Sequence, residues 1–279
     1  MKIYYFFIII IALFSCSEKE KNNSGSKEIN SGNQVVNLEF QSIIDSAKVK
    51  GSILIYDSQK DIYYSNNFAW ANKGNLPAST FKIPNSIIAL ESGIVENDST
   101  LFKWDGKRKY LKTWEQDLIF RDAFHFSCVP CYQEIAKKIG KNKMNKYLAK
   151  LGYGNMKVDA TNIDVFWLEG DSRISQFQQI DFLKRFYNSQ LPISKKTENI
   201  MKNMIVIEEN EQFKLSGKSG LSNTNQIYNG WFVGYIESES KIYFFATNIE
   251  PKKQFDFDTF IMKRKKVTFE ALKQIGISN

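Results

Sequence analysis

The chain has 279 residues, with 38 Lys and Arg against 30 Asp and Glu, a formal charge of +8, and 43% hydrophobic content. That content, with 22 Phe and 13 Tyr, is enough for a sizeable core and excludes a disordered chain. A single His and three Cys exclude a His-rich catalytic zinc centre, and a Ser-His-Asp triad would depend on His125 alone, so hydrolytic chemistry is expected to use another base, and no metal is expected.

Lys2 precedes an apolar run from Ile3 to Phe14 that closes on Leu13-Phe14-Ser15-Cys16. The run is shorter than the roughly 20 residues a spanning helix takes. It resembles a bacterial lipoprotein signal, which implies loss of residues 1–15, lipidation of Cys16, and an exported, membrane-anchored protein of a bacterial envelope, periplasm-facing or at the cell surface. Residues 16–34, rich in Ser, Lys, Asn, Glu and Gly, read as a flexible tether, and residues 35–279 as one folded domain. Export removes nucleic acid from the expected partners despite the charge.

Past the tether, Leu38, Phe40, Ile43, Ile44 and Ala47 recur at helical spacing. Gly51 to Tyr56 reads as a buried strand and, with Ile62-Tyr63-Tyr64, as a hairpin. From about Thr80 to Asn203 helical periodicity dominates: Ile83 to Glu91, Tyr132 to Ile139 ending at Gly140, Met144 to Leu151 ending at Gly152, and Ile180 to Tyr187. Ile227 to Ile236 and Ile242 to Ile249 form a second predicted hairpin, and Val267 to Ile275 a closing helix. Strands at both ends and helices between them predict an α+β fold, one antiparallel sheet built from N- and C-terminal strands with a mostly helical insertion.

Ser79-Thr80-Phe81-Lys82 opens the first of those helices just after Pro77-Ala78. Residues three apart share a helix face, so the Lys82 amine can serve as the base that a serine nucleophile needs. Alone the match is weak: Ser24 to Lys27 and Ser238 to Lys241 fit the same pattern, and a helix-capping serine explains Ser79 equally well. Two further elements agree with it. Ser127-Cys128-Val129 falls between helical segments, and Lys218-Ser219-Gly220 places a cation, a hydroxyl and a glycine before Ile227, on the edge of the predicted sheet. The three in this chain order are far more specific than any one.

At these residues the chain resembles the class D β-lactamases, the oxacillinases of the serine penicillin-recognising superfamily. Supporting stretches are Leu76 to Asn85, Phe102-Lys103-Trp104-Asp105-Gly106, Tyr153-Gly154-Asn155, Phe166 to Gly170 and Gly230-Trp231-Phe232-Val233-Gly234. The resemblance implies hydrolysis of β-lactams through an acyl-serine on Ser79, with the N–H groups of Ser79 and Leu221 holding the oxyanion. It implies that Lys82 is the general base after carboxylation by CO₂ or bicarbonate, that Val129 keeps its pocket dry, and that the Trp167 indole donates to the carbamate. Ser127 would relay a proton to the departing nitrogen beside Lys218. Ser219 and Arg264 would bind the substrate carboxylate, and the lysines around Arg264 would form a solvated face.

Two departures from the family pattern stand out. Ser219 replaces the commoner Thr and keeps its hydroxyl. Cys128-Val129-Pro130-Cys131 is a C-x-x-C beside Ser127, either a disulfide formed after export or two free thiols, with a thioredoxin-like role set back by the missing βαβ context. His125 is expected to be structural or partly exposed. The rival readings are a β-lactam sensor acylated without efficient turnover, a cell-wall DD-peptidase, which normally carries Asn at the place of Val129, and a non-catalytic lipoprotein. The pocket loops around Phe102 to Trp114 and Ser222 to Asn229 are expected to set substrate spectrum.

Overall fold

The computed structural model describes residue 1, residues 33–239 and residues 241–277. The expected leader, Cys16 and most of the tether lie outside the described residues. Among those described, no helix is long and apolar enough to cross a membrane.

Strands buried on both faces need apolar residues at nearly every position, and the aromatic runs near the C-terminus meet that demand. They form β8 (Ile227–Ser238) and β9 (Lys241–Pro251), paired antiparallel. On β8, Trp231, Val233 and Tyr235 enter one core, while Phe232 and Ile236 enter the other on the opposite face. The N-terminal hairpin, β2 (Val49–Asp57) and β3 (Ile62–Ser65), joins this pair because β2 lies antiparallel to β9, with Ser52 opposite Asn248. One sheet is thus built from both ends of the chain, as predicted.

Its full strand order is β1-β3-β2-β9-β8-β7-β6, where β1 is Asn33–Val36, β6 Val206–Glu209 and β7 Lys214–Thr224. Strand β1 pairs parallel to β3, so the sheet is not wholly antiparallel as expected. It begins two residues before the domain boundary expected at 35. The Lys218-Ser219-Gly220 stretch also differs from expectation, since β7 is the penultimate strand. The outermost strand is short, however: β6 pairs with β7 only as far as Ser216, and beyond it one side of β7 is an open edge.

Helices α1 (Leu38–Ser46) and α9 (Phe257–Gln274) pack on one face of the sheet through Phe40, Phe260 and Val267. The other face carries the insertion. It comprises α2 (Phe68–Asn72), α3 (Lys82–Glu91), a small ladder of β4 (Leu101–Phe102) and β5 (Leu118–Ile119), then α4 (Phe120–His125), α5 (Val129–Ile139), α6 (Lys141–Leu151), α7 (Gln176–Tyr187) and α8 (Lys195–Met204). Residues 222–229, expected as a pocket loop, continue β7 and β8. The turn between these strands holds Asn225 and Gln226 at φ of +51° and +63°, the positive pair of a tight hairpin turn.

Candidate active site

The turn that carries Ser79 is held from several sides. Residues Ala78–Phe81 form a single 3-10 turn that runs into α3, so Ser79 sits just ahead of the helix carrying Lys82. Trp231 Nε1 donates to Leu76 O at 2.9 Å, and Ala78 N–H to Trp167 O at 2.8 Å. Thr80 Oγ1 donates to Pro77 O at 2.6 Å and accepts from Gln179 Nε2 at 2.8 Å, while Tyr153 OH donates to Gln179 Oε1. Fully satisfied buried networks of this kind fix one geometry. They hold Ala78 at φ +50°, a conformation costing about 1 kcal/mol or more for a residue with a Cβ.

Lys82 is 1% exposed, and its Nζ donates to Ser79 Oγ at 3.1 Å. The same nitrogen lies 4.9 Å from the centre of the Tyr132 ring, a buried side chain whose hydroxyl is 2.6 Å from Ser86 Oγ. Burial holds Lys82 well below the ordinary lysine pKa, and the nearby charge of Lys218 adds to the effect. A lysine so placed is biased toward its neutral amine, the form with a free lone pair.

Lys218 projects from β7 so that its Nζ donates to Ser127 Oγ, and it is pushed down to about 7 by burial, then by the charges of Arg264 and Lys265. Ser127 lies in the turn between α4 and α5 at φ +53°. Val129, half-buried, packs on the core at the first turn of α5. Cys128 and Cys131 are joined by a disulfide with Cα atoms 5.4 Å apart. Two cysteines three apart inside one helix would meet poorly, but Cys128 is the N-cap of α5 and turns away from helical geometry at ψ 97°.

The turn that carries Ser79 packs against β7 at Gly220. A Cβ added to Gly220 would lie 3.1 Å from Pro77 O and 3.2 Å from the Ser79 nitrogen, closer than most Cβ contacts, so any side chain there would push on the Ser79 turn. Gly217 N–H donates outward to Ile205 O. Strand alternation therefore sends the Leu221 N–H to the same side, where no strand pairs with it. Ser219 and Leu221 occupy the α9 face of β7, together with Leu215.

Arg264 is an interior residue of α9, which starts ten residues earlier than the predicted closing helix. It is 9% exposed, lowered to about 10 by burial, and its Nη1 donates to Gly220 O at 2.7 Å. Gly230 leaves room for its stem, since a Cβ there would stand 2.8 Å from Arg264 Cδ. The neighbouring Lys265 and Lys266 are exposed, as the solvated-face reading expects.

Trp167 is fully buried and stacks on Phe81 with ring centres 5.5 Å apart. Its Nε1 has no hydrogen-bond partner among the described residues. Asn85, one turn beyond Lys82, is likewise buried with both amide atoms unpartnered. His125 lies on the exposed end of α4, its pKa lowered by burial and then by Lys218. The structure thus gathers Ser79, Lys82, Ser127, Lys218, Arg264 and the edge around Leu221. Sequence patterns do not single out Tyr132, Gln179 or Asn85. An amide in the buried first turn of α3 is the available signal for Asn85; nothing local marks the other two.

Residues 47–274 match the family model described as penicillin binding protein transpeptidase domain. The fold and site therefore define a serine acyl-transfer protein of the penicillin-recognising kind, and within that group the chain belongs to the class D β-lactamases, a family of serine hydrolases. Beta-lactamase OXA-10 from Pseudomonas aeruginosa is 37% identical over 249 residues, covering 88% of this chain and 92% of that protein. The crystal structure of the class D β-lactamase YbXI from Nostoc is 40% identical with a TM-score of 0.82, covering 86% of this chain and 99% of that one. The class D β-lactamase from Sebaldella termitidis is 35% identical with a TM-score of 0.84, covering 89% and 100%.

Proposed function

We propose that the protein hydrolyses β-lactams through an acyl-enzyme on Ser79, with Lys82 in its N-carboxylated form as general base. The observation that carries this reading is the Lys82 nitrogen, buried among aromatic side chains and 3.1 Å from the Ser79 hydroxyl. Ser79 attacks the lactam carbonyl. The Ser79 and Leu221 N–H groups stabilise the developing oxyanion. Ser127 passes a proton to the departing nitrogen, with the Lys218 ammonium holding its hydroxyl in place. Arg264 and Ser219 draw the substrate carboxylate to the open edge of β7.

The residues present suit a carbamate on Lys82. Only a neutral amine adds to CO₂, and burial shifts Lys82 toward that form. The unpartnered Trp167 Nε1 is a donor in need of an acceptor. A carbamate there supplies a base strong enough to deprotonate Ser79 and then the hydrolytic water. Among the described residues no cluster of His, Cys, Asp or Glu could hold a metal.

The expected result is steady hydrolysis of a chromogenic cephalosporin that speeds up with added bicarbonate, and Trp167→Phe should raise the bicarbonate needed for half-maximal rate about tenfold or more, as the loss of one hydrogen bond to a charged group implies. A stoichiometric burst with no turnover, even in excess bicarbonate, would select the sensor reading instead.

Export and lipid anchoring at Cys16 are part of the same proposal, supported by the sequence of residues 1–16. Cells fed a labelled fatty acid should label the protein, and Cys16→Ala should abolish the label. Label retained by that variant would contradict the anchor.

A further inference from the structure

The proposed reaction makes no use of the Cys128–Cys131 disulfide, although it borders Ser127 directly and closes a ring around Val129. A cross-link between residues three apart removes little freedom from an unfolded chain, because the entropy lost grows with the loop closed. Its effect is therefore local. The groups it affects are Ser127, which receives the Lys218 amine, Val129 inside the ring, and Tyr132 one residue beyond, whose ring faces Lys82 Nζ.

Ser127 also needs holding. Its φ of +53° is left-handed, a conformation a serine keeps only when its surroundings impose it. From the N-terminal side, Ser127 N–H donates to Phe124 O at 3.1 Å and Cys128 N–H to Ala123 O at 2.9 Å. From the other side, Cys128 Sγ is bonded to Cys131 and accepts from the Cys131 N–H, tying the turn to the start of α5. A thiol-exchange centre would need the sulfur at the helix cap open to attack, and Cys128 is buried.

Resting on the function proposed above, we propose that this disulfide is a positioning device for Ser127, keeping its hydroxyl against Lys218 when oxidised and releasing it when reduced. Reduction by a dithiol breaks the S–S bond, delivers two electrons and two protons to give two thiols, and leaves the reductant as its own disulfide. An exported chain then reaches full activity only in an oxidising compartment.

The test uses the full chain oxidised, reduced with dithiothreitol with the thiols counted, and reoxidised, beside a Cys128→Ala/Cys131→Ala variant. On reduction, and in the variant, kcat for the chromogenic cephalosporin should fall about tenfold or more, the scale of an impaired proton transfer, with little change in KM or thermal midpoint. Reoxidation should restore the rate, and the reductant should leave the variant's rate unchanged. Two liberated thiols with kcat unaltered would overturn the proposal. So would a loss of kcat that merely follows a loss of folded protein. An oxidised chain that never reacts with the cephalosporin would sink the underlying function, and this proposal with it.

Discussion

Lys82→Ala should lower β-lactam turnover by about 10²- to 10⁴-fold, the range spanned by a positioned general base, while leaving the protein folded. The reason is geometric. Lys82 Nζ is the nitrogen in contact with Ser79 Oγ, and His125 is on the outer end of α4. Stability should move the other way when the replacement fills the same space. Burial lowers the Lys82 pKa, so between its folded and unfolded values the unfolded chain binds a proton that the folded chain does not. Stability attributable to this group therefore rises with pH until the ordinary lysine value of about 10.4 is reached. Lys82→Met removes that penalty and should raise the thermal midpoint near pH 7 by about 2 °C or more. An unchanged or lower midpoint, measured by calorimetry, would show that burying this amine carries no penalty.

Ser127→Ala should slow acylation by about 10²-fold or more, because it removes the hydroxyl on which the Lys218 amine is seated. Lys218 titrates at about 7, so its positive charge is present below that pH and is lost above it. If the charge assists the departing nitrogen, kcat/KM falls as pH rises through about 7. Lys218→Arg keeps its charge to much higher pH and should flatten that alkaline limb. Stopped-flow acylation across pH 5 to 9 measures both effects. A Ser127→Ala protein that acylates at the wild-type rate would remove Ser127 from the reaction.

Much of the site is legible in the amino-acid sequence. Ser79 and Lys82 stand out because a helix enforces their spacing, and the β8–β9 hairpin because strands covered on both faces leave a continuous apolar signature. Strand β7 does not stand out. Its sequence, Lys214–Thr224, is Ser, Gly and Lys for most of its length, with few of the branched or aromatic side chains that mark a strand, and pairing with β8 overrides that poor local preference. The same scarcity of side chains lets Gly220 pass close to Ser79. The placement of Arg264 depends on α9 starting at Phe257, capped by Asp256 well before the apolar spacing at Val267 that marks the helix in the sequence. Tyr132 and Gln179 reach the site from α5 and α7, and contacts of such sequence separation leave no local trace. The disulfide is undecided in the sequence because it turns on whether Cys128 lies inside α5 or caps it.

The proposed reaction requires Lys82 to serve Ser79 in both of its halves. Intact-protein mass spectrometry after brief exposure to a penicillin measures this most directly. Wild-type protein should show a transient adduct that disappears as substrate is consumed, while Lys82→Ala should hold one penicilloyl group on the Ser79 peptide for hours, and Ser79→Ala none. Release from Lys82→Ala as fast as from wild type, or an adduct on any other residue, would contradict it.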